Sequence, residues 1–515
     1  MRILFLAALI GAFLPCLSAQ DVQWSSPFEV REQFKQFIGT LGGDHYYLTQ
    51  RERKNRYIQR ISANLDAADP VNIELEAEQG LRTYVDAAII GERLYIFTEY
   101  NDRREKKLYL YADELDPQTL EIRDQTNIEV IDYPSIKETG EFRVHVSRDA
   151  DMLMVFSDRA GKPKENKEFA VQVYDPELNS KWENKFTLPL TNELFQFQDV
   201  FVSGDAEVFL GYLAYDKRPG SGKDGELYYR AHVMQITGNG DVAVDHKPDF
   251  GTALVNEFRL AEHQYGGAAL LGRFSYEDDR RMAGTVFCSV FDAVQDVQVN
   301  ALSNEDRFSF MSPSKETQVR KDMAKGRLAP ELRDFVMREV LVRPTGEIVG
   351  ILEFCDRVDE LVTGSAGFGA QLANIGDNTW RLKDVMIVQY DDTGRQQFVA
   401  CVPKRQLSAS DDNFFGSVAF ASGEEYLYFL YNDHNTNLNK RRSGEMTQLD
   451  SANDCAITLA VIDRNGDVTR KHLSFPTGGP CVIRPSASGQ WMYIPTLMIY
   501  GRDRSNRYVG TISIR

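Results

Sequence analysis

Short apolar runs broken by polar turns recur along almost the whole of this chain. The stretch Ile387–Gln406, IVQYDDTGRQQFVACVPKRQ, shows the unit: an apolar run, the turn Asp-Asp-Thr-Gly, and a second run. The same phrase returns as LYLYADELDPQTLEI from Leu108, VQVYDPELNSKWENKF from Val171, FCSVFDAVQDVQV from Phe287 and LAVIDRNGDVTRKHL from Leu459. RISANLDAADPVNIEL and VMQITGNGDVAV fit it more loosely. Asp, Asn, Gly and Pro supply the positive-φ positions and local hydrogen bonds that a hairpin turn needs. The turns fall near Ser62, Ala112, Asp175, Thr237, Asp292, Asp391 and Asp463.

Two further apolar runs precede each hairpin. The second unit reads YVDAAII, RLYIFTEY, KLYLYADEL, EIRDQTNIEV, and the third FRVHVS, MLMVFSD, FAVQVYD, KFTLPL. Four short strands per unit of roughly 50–70 residues predict a blade of a β-propeller. No 3.6-residue period, as a helical solenoid would show, runs through these segments. The final unit holds only three strands: CVIRPSAS, QWMYIPTLMIY and RYVGTISIR. The segment DVQWSSPFEV near the N-terminus is one strand to spare, and lending it to the last sheet would cover an open edge. The expectation is an all-β chain: a single closed β-propeller over residues 20–515, with eight four-stranded blades. Seven is the fallback if the weak first unit is something else.

The first 19 residues, MRILFLAALIGAFLPCLSA, place one Arg before an apolar core that small residues close. This predicts a secretory signal peptide, residues 1–19, cleaved after Ala19. Nothing later is apolar enough for a transmembrane segment. The protein is therefore expected to be exported, to the periplasm, the cell surface or the medium.

Losing Arg2 with the leader takes the formal charge from −17 to −18. That argues against nucleic acid as a partner, since its binders carry a basic footprint. Five cysteines follow the leader: Cys288, Cys355, Cys401, Cys455 and Cys481. So few in so long a chain make no disulfide scaffold. Each lies in or beside an apolar run and reads as buried packing, with Cys355–Cys401 the first pairing to consider if one bridge forms.

In a propeller, the loops joining strands two and three share one face with the linkers between blades. Four long segments fall at such places: 216–226, 303–333, 355–381 and 432–453. Within 303–333, SPSKETQVRKDMAKGR predicts a short helix, capped by Ser312, opened by Pro313 and closed at Gly326. The expected rim is locally basic, with Arg103, Arg104, Lys217, Arg218, Arg280, Arg281, Lys440, Arg441, Arg442, Arg502 and Arg504 in its loops. Such a rim suits anionic groups, such as acidic glycans or a partner's carboxylates; solvated turns are the other reading.

VSRDADMLMVF (Val146–Phe156) and RPSASGQWMYI (Arg484–Ile494) resemble propeller repeats of the TolB/WD40-like kind, in which a Ser-Pro-Asp-Gly-Lys-like turn follows the innermost strand. VPKRQLSASDDNFFGSVAF and YLYFLYNDHNTNL are similar to text from exported propeller-like proteins of Gram-negative envelopes. The resemblance implies an architecture and a location, and no catalytic residue.

Asp433, His434, Asn435 and Asn437 space oxygen ligands like the start of a calcium loop. Leu438 stands where Gly should, and Gly444 where the closing Glu should, which excludes an EF-hand. A looser calcium site and a hydrogen-bonded loop remain the two readings, and no other cofactor is expected. No His pair has zinc-site spacing. Gly-x-Ser-x-Gly is absent around Ser365. Asp86, Asp199 and Glu339 on inner strands are candidate axial carboxylates for a glycoside hydrolase or lyase. The reading is a monomeric binding or scaffold protein, engaging an envelope protein or glycan through its rim. The alternative is a carbohydrate-active enzyme using the axial carboxylates.

Overall fold

A computed structural model describes residues 22–515 apart from 30, 52–54, 74, 78–79, 136–137, 219–228, 277–280, 358–379, 409–414, 479–480, 492–493 and 504–505. The signal peptide, Arg280, Arg504 and most of segments 216–226 and 355–381 lie outside the described residues.

Eight antiparallel sheets follow one another round an axis. Their innermost strands are Gln33–Leu41, Thr83–Ile90, Glu141–Val146, Phe195–Val202, Leu254–Glu262, Phe335–Val342, Ala419–Ser422, and, in the last blade, the pair Val482–Ile483 and Gly489–Gln490. The chain is an eight-bladed β-propeller. Its eighth sheet is completed by Gln23–Trp24, which pair with Thr511 and Gly510 on the strand Asn506–Ser513. The Trp24 indole N–H donates to the Ser474 carbonyl at 3.1 Å, and its ring meets Phe475 edge-on at 4.8 Å.

The period-2 pattern accounts for the ring. Along Arg93–Asp102, Leu94 and Ile96 pack with blade one, while Tyr95 and Phe97 pack with blade three. Both faces of most sheets are therefore apolar, and each neighbouring pair of blades shares one hydrophobic cluster. The ring closes where Phe34 of blade one stacks on Tyr500 of blade eight, 4.2 Å between centroids.

The outer hairpins share one device. Asp175, Asp391 and Asp463 each accept two backbone N–H groups through Oδ1, from residues two and four positions on. In blade two Asp116 Oδ1 accepts from Gln118 N and Thr119 N, two and three positions on, so that turn lies beyond Ala112, which sits inside the strand Lys107–Leu115. The left-handed position is Gly394 and Gly466 in blades six and seven, but Leu65, Leu120 and Leu178 in blades one to three. A leucine there costs about 1–2 kcal/mol. Leu65 and Leu120 bury their side chains in adjacent inter-blade cores, which offsets that cost.

The insertion between blades five and six carries the expected helix, Pro313–Met323, capped by Ser312 and followed by Gly326 at φ +84°. A second helix, Asn304–Ser309, precedes it; its capping box pairs Ser303 with Asp306. All five cysteines are free thiols. The Cys355–Cys401 pairing is corrected by register. Cys355 opposes Leu382 and Cys401 opposes Met386, on opposite sides of the strand Trp380–Tyr390. Two strand spacings, about 9.5 Å, separate them, too far for a disulfide.

Candidate functional site

Five inner strands carry a β-bulge at the same place. In blades one, two, four, five and six the extra residues are Lys35, Val85, Gln198, Asn256 and Arg338. The next residues are Gln36, Asp86, Asp199, Glu257 and Glu339, so the bulge aims an amide or a carboxyl in each case. Asp199 Oδ2 accepts the Leu260 N–H of blade five at 2.9 Å. Glu257 Oε2 accepts the Met337 N–H of blade six at 3.1 Å. Gln36 donates to Asp86 at 3.3 Å. These groups staple one blade to the next around the axis. The recurring aromatic or apolar residue, bulge residue and carboxylate was visible in the sequence as a signal; its structural purpose was not.

Glu339 ends the series differently. The facing inner strand, Ala419–Ser422, is short, and among the described residues the Glu339 carboxyl accepts only the N–H of Val340, at 3.2 Å. It opens onto an axial cavity of about 930 Å³, lined also by Arg148, Glu262 and Arg338. Glu339 is exposed to this cavity; the surrounding walls, reinforced by the negative charge of Asp199, raise its carboxyl above the ordinary value. Burial also raises Asp86 and Asp199, against hydrogen bonds that favour their charged forms. Beside the cavity, Arg338 pairs with Glu353 at 2.6 Å, and Glu353 with Lys404 at 2.5 Å, the last two fully buried.

On the opposite side, topology places the sequence-derived rim residues in one set of loops. Arg103 and Arg104 are exposed in blade two, and Lys217 and Arg218 in blade four, where Arg218 lies 4.0 Å from Glu193. Arg281 follows the second strand of blade five and Arg502 ends the second strand of blade eight. These belong to different blades and do not converge. The loop 432–453 is organised from within. Asp433 is buried; its Oδ1 accepts from His434 N and from Asn437 Nδ2, while Arg470 lies 3.6 Å away. Asn437 Oδ1 accepts from Thr447 N and Lys440 Nζ. Asn435 is exposed, and His434 Nδ1 meets the Thr436 hydroxyl at 3.0 Å. Protein donors thus occupy Asp433 Oδ1 and Asn437 Oδ1, as a hydrogen-bonded loop requires, while Asp433 Oδ2 accepts no hydrogen bond among the described residues. Arg441 is exposed, and its N–H reaches Glu445.

Arg442 does something else. It pairs with Glu316 on the helix Pro313–Met323, clasping the insertion of blade seven to that between blades five and six. Glu316 is held in turn by Arg320 at 2.7 Å, and these cations keep its carboxyl below the usual range. Gly444 meets the helix start so closely that a Cβ would stand 2.0 Å from Ser312 Cβ. Beneath this clasp lies a recess of about 550 Å³, walled by Phe310, Phe335 and Phe354 and by Lys315, Arg333, Lys383, Asp384, Arg405 and Ser443. Of these, Phe310, Lys315 and Arg333 fall inside segment 303–333 and Ser443 inside 432–453; Phe335, Phe354, Lys383, Asp384 and Arg405 lie outside the insertions the sequence singled out.

No protein-family model and no curated protein matches this sequence. Solved structures similar to this chain include the WD40 domain of SCAP from fission yeast, at 9% identity over 97% of this chain and 96% of that one, TM-score 0.43. The β-propeller domain of the Trilobed protease from Pyrococcus furiosus is similar at 10% identity, covering 88% and 98%, TM-score 0.37. A variant of the Synechocystis apocarotenoid oxygenase is similar at 9% identity, covering 71% of each chain, TM-score 0.34. The class is that of β-propellers, as the eight sheets define it.

Proposed function

We propose that this chain is an exported binding propeller that engages a protein or glycan partner of a bacterial envelope through its insertion-bearing rim. One observation carries the reading: insertions from separate places in the chain are locked together by Arg442 and Glu316 over a recess. The other inter-blade cores close without these insertions, while Phe308, Met311 and Val319 of the helical one pack into the core between blades five and six and fix the recess above it. The N-terminal leader and the TolB-like text support export and an envelope setting. Propellers serve many functions, so the site and not the fold bears the argument.

The enzymatic reading has one observation in its favour, the Glu339 carboxyl in an open axial cavity. Paired carboxylates are what glycoside hydrolysis requires. Asp86 and Asp199 are spent on blade-to-blade hydrogen bonds, and Glu262 is the acid that shares the cavity lining with Glu339. The test compares the native protein with a form whose residues 304–326 are replaced by a short Gly-Ser linker. Immobilised, the native form should retain an envelope protein or glycan and the replaced form should not. Equal retention, together with turnover of a glycan panel that Glu339→Gln abolishes, would reverse the ranking.

A further inference from the structure

We propose that the recess under the helical clasp binds a sugar-sized ligand bearing a phosphate or sulfate group. The inference rests on the reading of this rim as the binding face and names what that face takes. Four cations line the recess: Lys315, Arg333, Lys383 and Arg405. Among the described residues none of the four makes an ion pair with a carboxylate. This is unusual in a chain of formal charge −17, where other rim cations have found acids, as Arg442 has Glu316 and Arg381 has Asp356 at 3.6 Å.

Lys383 is the centre of the argument. Its ammonium stands over the Phe354 ring at 4.4 Å. Burial, with Arg381 and Arg405 nearby, pulls its pKa below the ordinary lysine value, against the weaker pull of Asp384 and Asp356. A bound anion would relieve that repulsion. Asp384, next in the chain, is 3% exposed and lines the recess; its carboxyl is hydrogen-bonded by the Ser443 side chain and the Lys404 N–H, while its Oδ1 has no partner among the described residues. A buried polar atom left so is uncommon and points to an absent partner. Burial raises the Asp384 carboxyl to about 7, so below that pH it is neutral and can donate a hydrogen bond. Glu331, the other acid in the lining, is turned to the Ser275 hydroxyl at 2.7 Å and to the Tyr276 N–H. Arginine forks and ammonium groups that no carboxylate holds at ion-pair distance suit a tetrahedral oxyanion.

The size sets the rest. A cavity of about 550 Å³ is in the range of small-molecule sites and far exceeds an inorganic ion. Phe310, Phe335 and Phe354 form an edge-to-face row, with centroids 5.4 and 6.0 Å apart. That row gives an apolar wall for a sugar ring, while the cations take its ester.

Calorimetry on the mature protein tests this with glucose 6-phosphate, N-acetylglucosamine 6-sulfate, inorganic phosphate, inorganic sulfate, unmodified glucose and a phosphoserine peptide. At least one sugar ester should bind tenfold or more tightly than its inorganic ion, with no heat from glucose. Lys383→Met and Arg405→Met, which keep the apolar stems, should each weaken it at least tenfold; the exposed Arg333→Met guards against misfolding and should weaken it too. Absence of binding by every ester, indifference to all three variants, equal affinity for the bare ion, or preference for the peptide each overturns the proposal. Loss of envelope retention on replacing 304–326, with retention unmoved by the three variants, would leave the rim reading standing and sink this one. Ester binding without any effect of that replacement on retention would do the reverse.

Discussion

The Asp199 carboxylate of blade four holds the backbone N–H of Leu260 in blade five at 2.9 Å. A residue that reads as a catalytic candidate is thus a rivet. Asp199→Ala should cost about 1–3 kcal/mol in urea unfolding, the range for leaving a partly buried donor unmade. Asp199→Asn keeps an oxygen and should cost less. Equal loss for both would mean that charge, and not the acceptor, matters there.

Ring closure gives a second expectation. Trp24→Ala removes a half-buried indole, its bond to Ser474 and its contact with Phe475. A loss of about 2–3 kcal/mol should follow, and deletion of residues 22–28 should lower Tm further. Unchanged Tm on deletion would show that the eighth sheet stands without its borrowed strand.

The clasp should behave otherwise. Arg442 is 44% exposed at its side chain, and such pairs are worth under about 1 kcal/mol. Arg442→Ala should therefore leave Tm nearly unchanged, yet speed protease cleavage within 304–326. Gly444→Ala, which drives a methyl into Ser312, should do the same. Cleavage at the native rate in both would remove the clasp from the account.

The share of stability carried by Asp384 should fall as pH rises between about 4 and 7, while buried histidines such as His145, lowered to about 4, act the other way. Burial raises the Asp384 carboxyl to about 7 from an ordinary value near 4. Across that window the folded state keeps protons that the unfolded chain has released, so raising pH favours unfolding. The stabilisation is complete below the unfolded pKa and gone above 7. Glu353, held ionised by Lys404 and Arg338, acts oppositely, and only as pH drops below its unfolded value. Thermal melts from pH 5 to 8 should differ in slope between the native protein and Asp384→Asn, the native falling more steeply with rising pH. A native-like slope in that variant would count against the assignment.

The export expectation is read directly from the mature N-terminus. Mass spectrometry of protein from fractionated cells should find Gln20 first, and intact Met1 in the folded product would sink it.

Repetition made the architecture legible. Asp175, Asp391 and Asp463 announce hairpins because an Asx turn is a local event, set within five residues. Ser312, Pro313 and Gly326 announce a helix for the same reason. The left-handed leucines were not legible, since only the core that buries Leu65 and Leu120 makes the conformation tolerable. The four-residue strand Ala419–Ser422 frees Glu339 at an inter-blade boundary, nearly eighty residues away in sequence.

By itself, then, the order of residues determined which segments are strands, where they turn and on which face the long loops emerge, because alternation and turn chemistry act over a few positions. Tertiary structure alone decided which carboxylates are tied to a neighbouring blade and which cations meet no acid. Those outcomes depend on distances between blades, and Coulomb forces and hydrogen bonds act through space without regard to separation along the chain.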